Sequence, residues 1–350
     1  MREKNSSTNN LPPPNSLSPA LSQRETEKSD LVCAVDLGGT NLRAANIDSA
    51  GQIHERVRNL TPKSVKAEDV VNSVAAAVRE CEAAVLKRGA RIQSVSVVVP
   101  GTVHIGTGLV VNAPNLNCLE GYKLGPALES ALDRSVLLEN DANAATVGEM
   151  WQGAARGYQT IICLTLGTGV GGGIILDGKL WGGVDGTAGE LGHTSVEPFG
   201  GVQCKCGSFG CLEVYASATA IVRMAREGLA QHSNSCLHSI AAGDLTSEKI
   251  CSAAMAGDEL ALEVFRRAGV YLGVAMANFV NIFNSKIIVI GGGVSAAWEL
   301  FAQPARAEVL RRAFRVPAER CRIVRAERGD DAGLIGAAWL AFQNPDQSGS

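Results

Sequence analysis

One unit occurs twice in this chain and constrains its fold more than anything else in it: a short apolar strand, a glycine-rich bend and a second strand. LVCAVDL, from Leu31, leads through GGTN into LRAANID, and TIICLTL, from Thr160, leads through GTGVGGG into IILDGKL. Clustered glycines mark places where the backbone itself comes close to something. Residues 68–88 carry Val, Ala and Leu at helical spacing and stop at Gly89, a C-cap residue. SVSVVV and SVLLEN read as buried strands, and DANAATVGEMWQGA as a helix with Asn140 or Asp141 at its cap. The second half continues with a mostly helical stretch, interrupted near HSNSC. Its segment GDELALEVFRRAGVYLGVAMANFVNIF is apolar on nearly every face and is predicted to be buried. KIIVIGGGV and CRIVRAE are further strands, and AGLIGAAWLAF is a closing helix. Two halves that open alike predict a duplicated α/β domain around a cleft, with ligands outside the strand ends.

The length of 350 residues suits two domains or one large one, and 46% hydrophobic residues can fill sizeable cores. A net charge of -3 with no basic run argues against nucleic acid as a main partner. No apolar run approaches the ~20 residues that cross a membrane. The first 30 residues are polar and rich in Pro, Ser and Asn, without a signal-peptide core, and predict a disordered tail. Seven of the ten cysteines are scattered in apolar surroundings, as Cys33 and Cys163 are, and read as small buried hydrophobes. Unpaired cysteines without an export signal predict a cytoplasmic protein.

The other three cysteines cluster. Cys204, Cys206 and Cys211 follow His193 on a glycine-rich loop, and three thiolates with one imidazole make a closed tetrahedral zinc shell. A full shell leaves no open position, which excludes a zinc hydrolase and makes the metal structural. Glu190 and Glu213 flank the cluster and are good acceptors for sugar hydroxyls.

The run Gly167 to Gly172 satisfies G-x-G-x-x-G, but a dinucleotide fingerprint must open a helix, and here a β-branched hairpin with its own Asp177-Gly178 turn follows. No Walker A motif occurs. A Gly/Thr-rich bend still offers N–H groups and a hydroxyl to an anion. The chain has two, Asp36–Asn41 and Gly167–Gly172, and a facing pair suits a polyphosphate such as ATP. Ordinary tight turns explain one such bend, and two matching ones poorly. Asp36 is placed to hold Mg²⁺ through water. Asp141 is either an N-cap or the base that takes a hydroxyl proton in phosphoryl transfer. Asn115 and Asn140 are short amides able to bridge sugar hydroxyls, and Asn115 reads equally as a turn residue after Pro114.

With these residues in place the chain resembles the ROK family of sugar kinases and repressors, in its bacterial glucokinase type, from Leu31 to about Phe342. The resemblance rests on DLGGTN, APNL, ENDAN, LGTGVGGG, the ELGH and CKCGSFGCLE segments, IIVIGGGV and GDDAGLIGAA, in that order. It implies a two-domain actin-like ATPase (ribonuclease H-like) fold with the active site in the interdomain cleft. The expected division is a tail at 1–30, a smaller α/β domain at 31–140 joined by helix 331–343, and a larger one at 141–330 that carries the zinc loop. Asp141 would be the base for the 6-hydroxyl of glucose, and Asn115, Asn140, Glu190, His193 and Glu213 would hold the other hydroxyls. His193 would also ligate zinc. Asp36, Gly38, Gly39, Thr40, Asn41, Gly167, Thr168 and Gly169 would surround the phosphates and their Mg²⁺, and Gly291, Gly292 and Gly293 the adenosine. A homodimer or homotetramer is expected. Where the family often has Asn-Pro, this chain has Asn284-Ser285, which touches a turn and none of the chemistry. Two other members remain in view: a kinase for N-acetylglucosamine, N-acetylmannosamine, fructose, mannose or allose, and a repressor that binds sugar without phosphorylating it. Polyphosphate is an alternative donor to ATP.

Overall fold

The computed structural model describes residues 30–113 and 115–344. The tail expected at 1–30 lies outside the described residues, except that Asp30 already opens the first strand. In chain order the first half comprises β1 (Asp30–Leu37), β2 (Asn41–Asp48), β3 (Ile53–Leu60), α1 (Ala67–Leu86), β4 (Arg91–Val99), β5 (Thr102–His104), β6 (Leu109–Asn112), α2 (Leu124–Leu132) and β7 (Val136–Asn140). Helix α3 (Asp141–Gln152) then leads to β8 (Ile161–Leu166), β9 (Val170–Leu176) and β10 (Lys179–Leu180). After a long loop follow α4 (Glu213–Ala216), α5 (Ala218–Gly228), α6 (Ser247–Met255) and α7 (Glu259–Phe283). The chain ends with β11 (Ile287–Gly291), α8 (Trp298–Arg312), α9 (Arg315–Arg320), β12 (Arg322–Arg325) and α10 (Ala332–Gln343).

The two sheets repeat one plan. The first runs β3-β2-β1-β4-β7 and the second β10-β9-β8-β11-β12. In each, three antiparallel strands are followed by two parallel ones. Central strands such as Val32–Val35 and Ile287–Ile290 are buried on both faces, as continuous apolar runs require. The fold is the two-domain actin-like ATPase fold. Because β9 returns antiparallel to β8, no helix opens at Gly167 and a dinucleotide fingerprint is excluded. Asp177 and Gly178 turn the β9–β10 hairpin with positive φ at both, as a type I′ turn demands.

Helices α3 and α10 lie between the sheets. Ala144, Leu334 and Ala337 pack with Val32, Ala34 and Ile47 of the first sheet, while Val147 and Leu340 pack with Ile161 and Val289 of the second. The two helices touch backbone to backbone: a Cβ on Gly148 or Gly336 would overlap the carbonyl of Ala332 or Ala144. An alanine at either glycine would force the helices apart, at a cost of about 1–3 kcal/mol. Helix α7 departs from its predicted full burial. Leu262 and Ile282 are exposed, while Gly269 and Gly273 let the backbone of α8 press against the opposite side. An apolar residue on every face thus reports one packed face and two separate exposed apolar positions on an otherwise polar one. Among the described residues no helix is long and apolar enough to cross a membrane.

Candidate active site

The site grows from the start of α3. Asn140 is the cap, its Oδ1 accepting from the Asn143 N–H at 3.0 Å, and Asp141 is thereby free of that duty. Asp141 Oδ1 accepts from the Ala142 N–H at 2.8 Å and from Asn140 Nδ2 at 3.2 Å. Both bonds fall on one oxygen, which leaves the other to a ligand. Burial pushes the Asp141 carboxyl up to about 6, with the nearby charge of Asp36 adding to it, and Glu190 adding less. Beneath, the buried Glu139 accepts from the Asn140 N–H at 2.8 Å and from Asn143 Nδ2 at 3.0 Å, and so fixes both amides. Asn140 Nδ2 also donates to the Gly101 carbonyl at 2.8 Å. Both of its amide hydrogens are therefore engaged, and only an Oδ1 lone pair remains for a sugar.

Asn140 and Asp141 line a cavity of about 600 Å³ together with Asn115, Glu190, His193 and Glu213. All six candidate sugar residues thus meet in one place. Gly167, Thr168, Gly169 and Gly292 line the same cavity. The first bend does not: Asp36, Gly38, Gly39, Thr40 and Asn41 are outside its lining, as are Gly291 and Gly293. Gly39 backs the cavity wall, since a Cβ there would sit 2.8 Å from the Cβ of Asn115. Asp36, 9% exposed, is bonded to Arg43, which reaches on to Asp330 at 3.4 Å. Burial raises the Asp36 carboxyl and Arg43 pulls against it. The carboxylate is a hard oxygen donor of the kind Mg²⁺ takes, and Arg43 already engages one of its oxygens.

The metal cluster also passes a geometric test. The ligand atoms of His193, Cys204, Cys206 and Cys211 lie within 4.8 Å of one another. Cys206 Sγ is 3.7 Å from Cys211 Sγ, and Cys204 Sγ is 3.6 Å from His193 Nδ1. A tetrahedral zinc with ordinary bond lengths demands edges of about 3.8 Å between sulfurs and about 3.5 Å from sulfur to nitrogen. His193 Nε2 faces Glu190 Oε2 at 3.8 Å, so one ring nitrogen is turned to the cluster and the other to the cavity acid. Glu213 joins the loop to the second bend: its Oε2 accepts from the Val170 N–H at 3.0 Å, and its Oε1 lies 3.8 Å from Cys204 Sγ.

Sequence reasoning missed several residues here. Lys205 and Gln203 line the main cavity. A second cavity of about 500 Å³, lined by Thr219, Val222, Arg223, Leu245, Thr246 and Glu248 among others, shares Thr168, Thr219 and Arg223 with the first. These residues sit on the zinc loop, on α5 and at the start of α6, and nothing in their spacing marks a ligand. Only Ser217, which caps α5 beside the second bend, could have drawn the eye.

Residues 32–344 match the ROK family. The chain belongs to the ROK family. The glucokinase of Halalkalibacterium halodurans is 38% identical over 311 residues, 88% of this chain and 94% of that one. The crystal structure of a ROK family glucokinase from Streptomyces griseus, in complex with glucose and AMPPNP, matches with a TM-score of 0.75 and 35% identity, over 89% of this chain and 99% of that chain. A ROK family transcriptional regulator, homologous to the E. coli MLC protein, matches with a TM-score of 0.82 and 28% identity, over 91% of this chain and 79% of that chain. ROK kinases and regulators therefore share this frame, and the side chains in the cleft must decide between them.

Proposed function

We infer that the protein is an ATP-dependent glucokinase, moving the γ-phosphoryl group of ATP to the 6-hydroxyl of glucose. The observation that carries the assignment is the desolvated Asp141 carboxylate, poised near pH 6, in one cavity with the Gly167–Gly169 bend. A base so placed takes the proton of the attacking hydroxyl as the O–P bond forms, while the bond from the γ-phosphorus to the β–γ bridging oxygen breaks and ADP leaves with that oxygen. Asn115, Glu190, His193 and Glu213 orient the sugar, and Asn140 holds Asp141 in place. The backbone of Gly167–Gly169 and the Thr168 hydroxyl donate to the phosphates. The second cavity, which opens past Thr168, takes the ribose and base, with Thr219 and Arg223 at the junction. Mg²⁺ brought with the nucleotide would neutralise charge on the phosphates, Asp36 would hold it through water, and Gly38–Asn41 would face the phosphates from the other side.

The domain division that goes with this cleft is 31–140 with helix 331–343 against 141–330. The Cys3His cluster is a structural zinc site whose work is to hold His193, Glu190 and Glu213 at hexose spacing. Ten unpaired cysteines fit a cytoplasmic enzyme. Ile282, Phe314 and Val316, exposed and gathered where the Phe314 N–H donates to Asn281 Oδ1, favour a homo-oligomer.

A coupled ADP-release assay across glucose, other hexoses and N-acetylhexosamines tests the assignment. Glucose should give the highest kcat/KM. A protein that releases ADP fastest with an N-acetylhexosamine, or with no sugar at all, is not a glucokinase.

A further inference from the structure

Two connections join the sheets: α3, between β7 and β8, and residues 326–331, between β12 and α10. One buried carboxylate ties them together. Glu149, in the last turn of α3, is 1% exposed and accepts three backbone N–H groups. Ala154 donates at 2.8 Å from the link that leads into β8. Arg328 at 2.7 Å and Glu327 at 3.1 Å donate from the link that leaves β12. Ionised acceptors make the stronger class of hydrogen bond, and a buried carboxylate without such partners is costly, so acid and loops require each other. Gly153 is the residue that leaves room, because a Cβ there would overlap Glu149 Oε2. Gln152 extends the knot. Its Nε2 donates to the Ala50 carbonyl at 2.7 Å, in the β2–β3 turn, and its own carbonyl accepts from Arg328 Nε.

Glu149 lines neither cavity and touches no group that reacts. It stands eight residues along α3 from Asp141, about 12 Å at helical rise. Yet the first bend lies outside the cavity that holds Asp141 and the second bend. Phosphoryl transfer brings both bends to one phosphate chain, and a turn of one sheet toward the other runs about the links they share. We propose that Glu149 is the pivot of that closure. As a positioning residue it makes the two links turn as one body and so delivers Asp141 to a defined place opposite the first bend. The proposal rests on the kinase assignment above.

Glu149→Gln in the full-length protein tests it, because the amide replaces one acceptor oxygen with a donor and breaks part of the knot at constant shape. The glucose Kd without nucleotide should stay within about twofold, while kcat falls about tenfold or more, as misplacement of a catalytic group by an ångström does. Small-angle scattering should show that the wild type contracts on adding glucose with AMPPNP and that the variant contracts less. A variant that contracts like the wild type, or whose loss of kcat only follows its folded fraction, overturns the proposal. Should Glu149→Gln not fold, Gly153→Ala carries the test, because the added Cβ crowds Glu149 Oε2 away from its Ala154 and Glu327 donors. Lower kcat with unchanged glucose Kd and a reduced contraction then supports the pivot, and unchanged kcat and contraction overturn it. A wild-type protein that releases no ADP with any hexose fails the kinase assignment instead, which keeps the two failures distinct.

Discussion

In the first hairpin Asp36 faces Arg43 across the β1–β2 pair, whereas the equivalent place in the second, two residues before the bend, holds Thr165 opposite Gly171. The bends differ in their surroundings and not in closure, since the Gly167 N–H of the second is bonded to the Gly169 carbonyl. In the first, the Gly38 N–H is bonded to the Asn41 carbonyl, and Thr61 closes the loop through its hydroxyl on Gly38 and its N–H on Thr40. The second opens onto the main cavity, and the Thr168 carbonyl accepts from the Thr219 hydroxyl at 2.8 Å. The glycine opposite Thr165 has a further use, since a Cβ on Gly171 would lie 2.9 Å from the Cβ of Ala142, the neighbour of Asp141. One frame has therefore diverged by what faces its bend. The first hairpin carries a buried carboxylate paired with an arginine, and the second gives up side chains so that the helix bearing Asp141 can come close.

That division of labour breaks most decisively at Asp141, which the second hairpin accommodates and the first electrostatically tunes. Asp141→Asn should lower turnover about 1,000-fold while glucose affinity, by calorimetry, stays within about threefold. Turnover near wild type would leave the glycines of β9 as packing alone. The hairpins themselves are compared next. Asp36→Asn should lower kcat/KM for ATP about 100-fold at fixed Mg²⁺, whereas Thr165→Val should cost about threefold or less. Equal losses would mean that the charge asymmetry has no functional content. A smaller effect separates glycines that make room from glycines that do not. Gly171→Ala should lower kcat about tenfold by moving the start of α3, while Gly293→Ala, whose Cβ would meet nothing within 4 Å, should leave steady-state kinetics unchanged. A loss at Gly293 would restore its expected part in holding adenosine.

These contrasts show what the sequence made legible. The strands were readable because apolar runs such as those of β1, β4 and β11 leave no other option than burial on both faces. The gathering of Asp141, Glu190, Glu213 and the Cys3His cluster was readable because such side chains are rare on a glycine-rich loop or at a strand end. The glycines of β9 were read as a phosphate grip throughout, yet Gly172 and Gly173 make room for Leu191 and Thr146, a packing need set by elements distant in sequence. For the same reason Glu149 looked like one more helical acid, and the second cavity left no mark: their partners come from residues some 50 to 180 positions away in the chain. Asn140 or Asp141 as the cap was undecidable from spacing, and the Asn143 N–H decides it.

The smallest effect reads the distance between the first hairpin and the base. An acid raised to about 6 is still protonated where an ordinary aspartate, near 3.9, has long since ionised. The base works only when ionised, so kcat/KM should be level above about pH 6 and fall about tenfold per pH unit below it. An ordinary carboxylate would keep the enzyme active down to about pH 4. Burial is the larger cause and stays in every variant, so each neighbour shifts this limb only in part. Because Asp36 and then Glu190 raise Asp141 by repulsion, neutralising either stabilises the ionised base and must move the limb to lower pH. Asp36→Asn, read on its residual activity, should move it further than Glu190→Gln, and Thr165→Val should leave it in place. A limb that moves with Thr165 and not with Asp36 would reverse the roles assigned to the two hairpins.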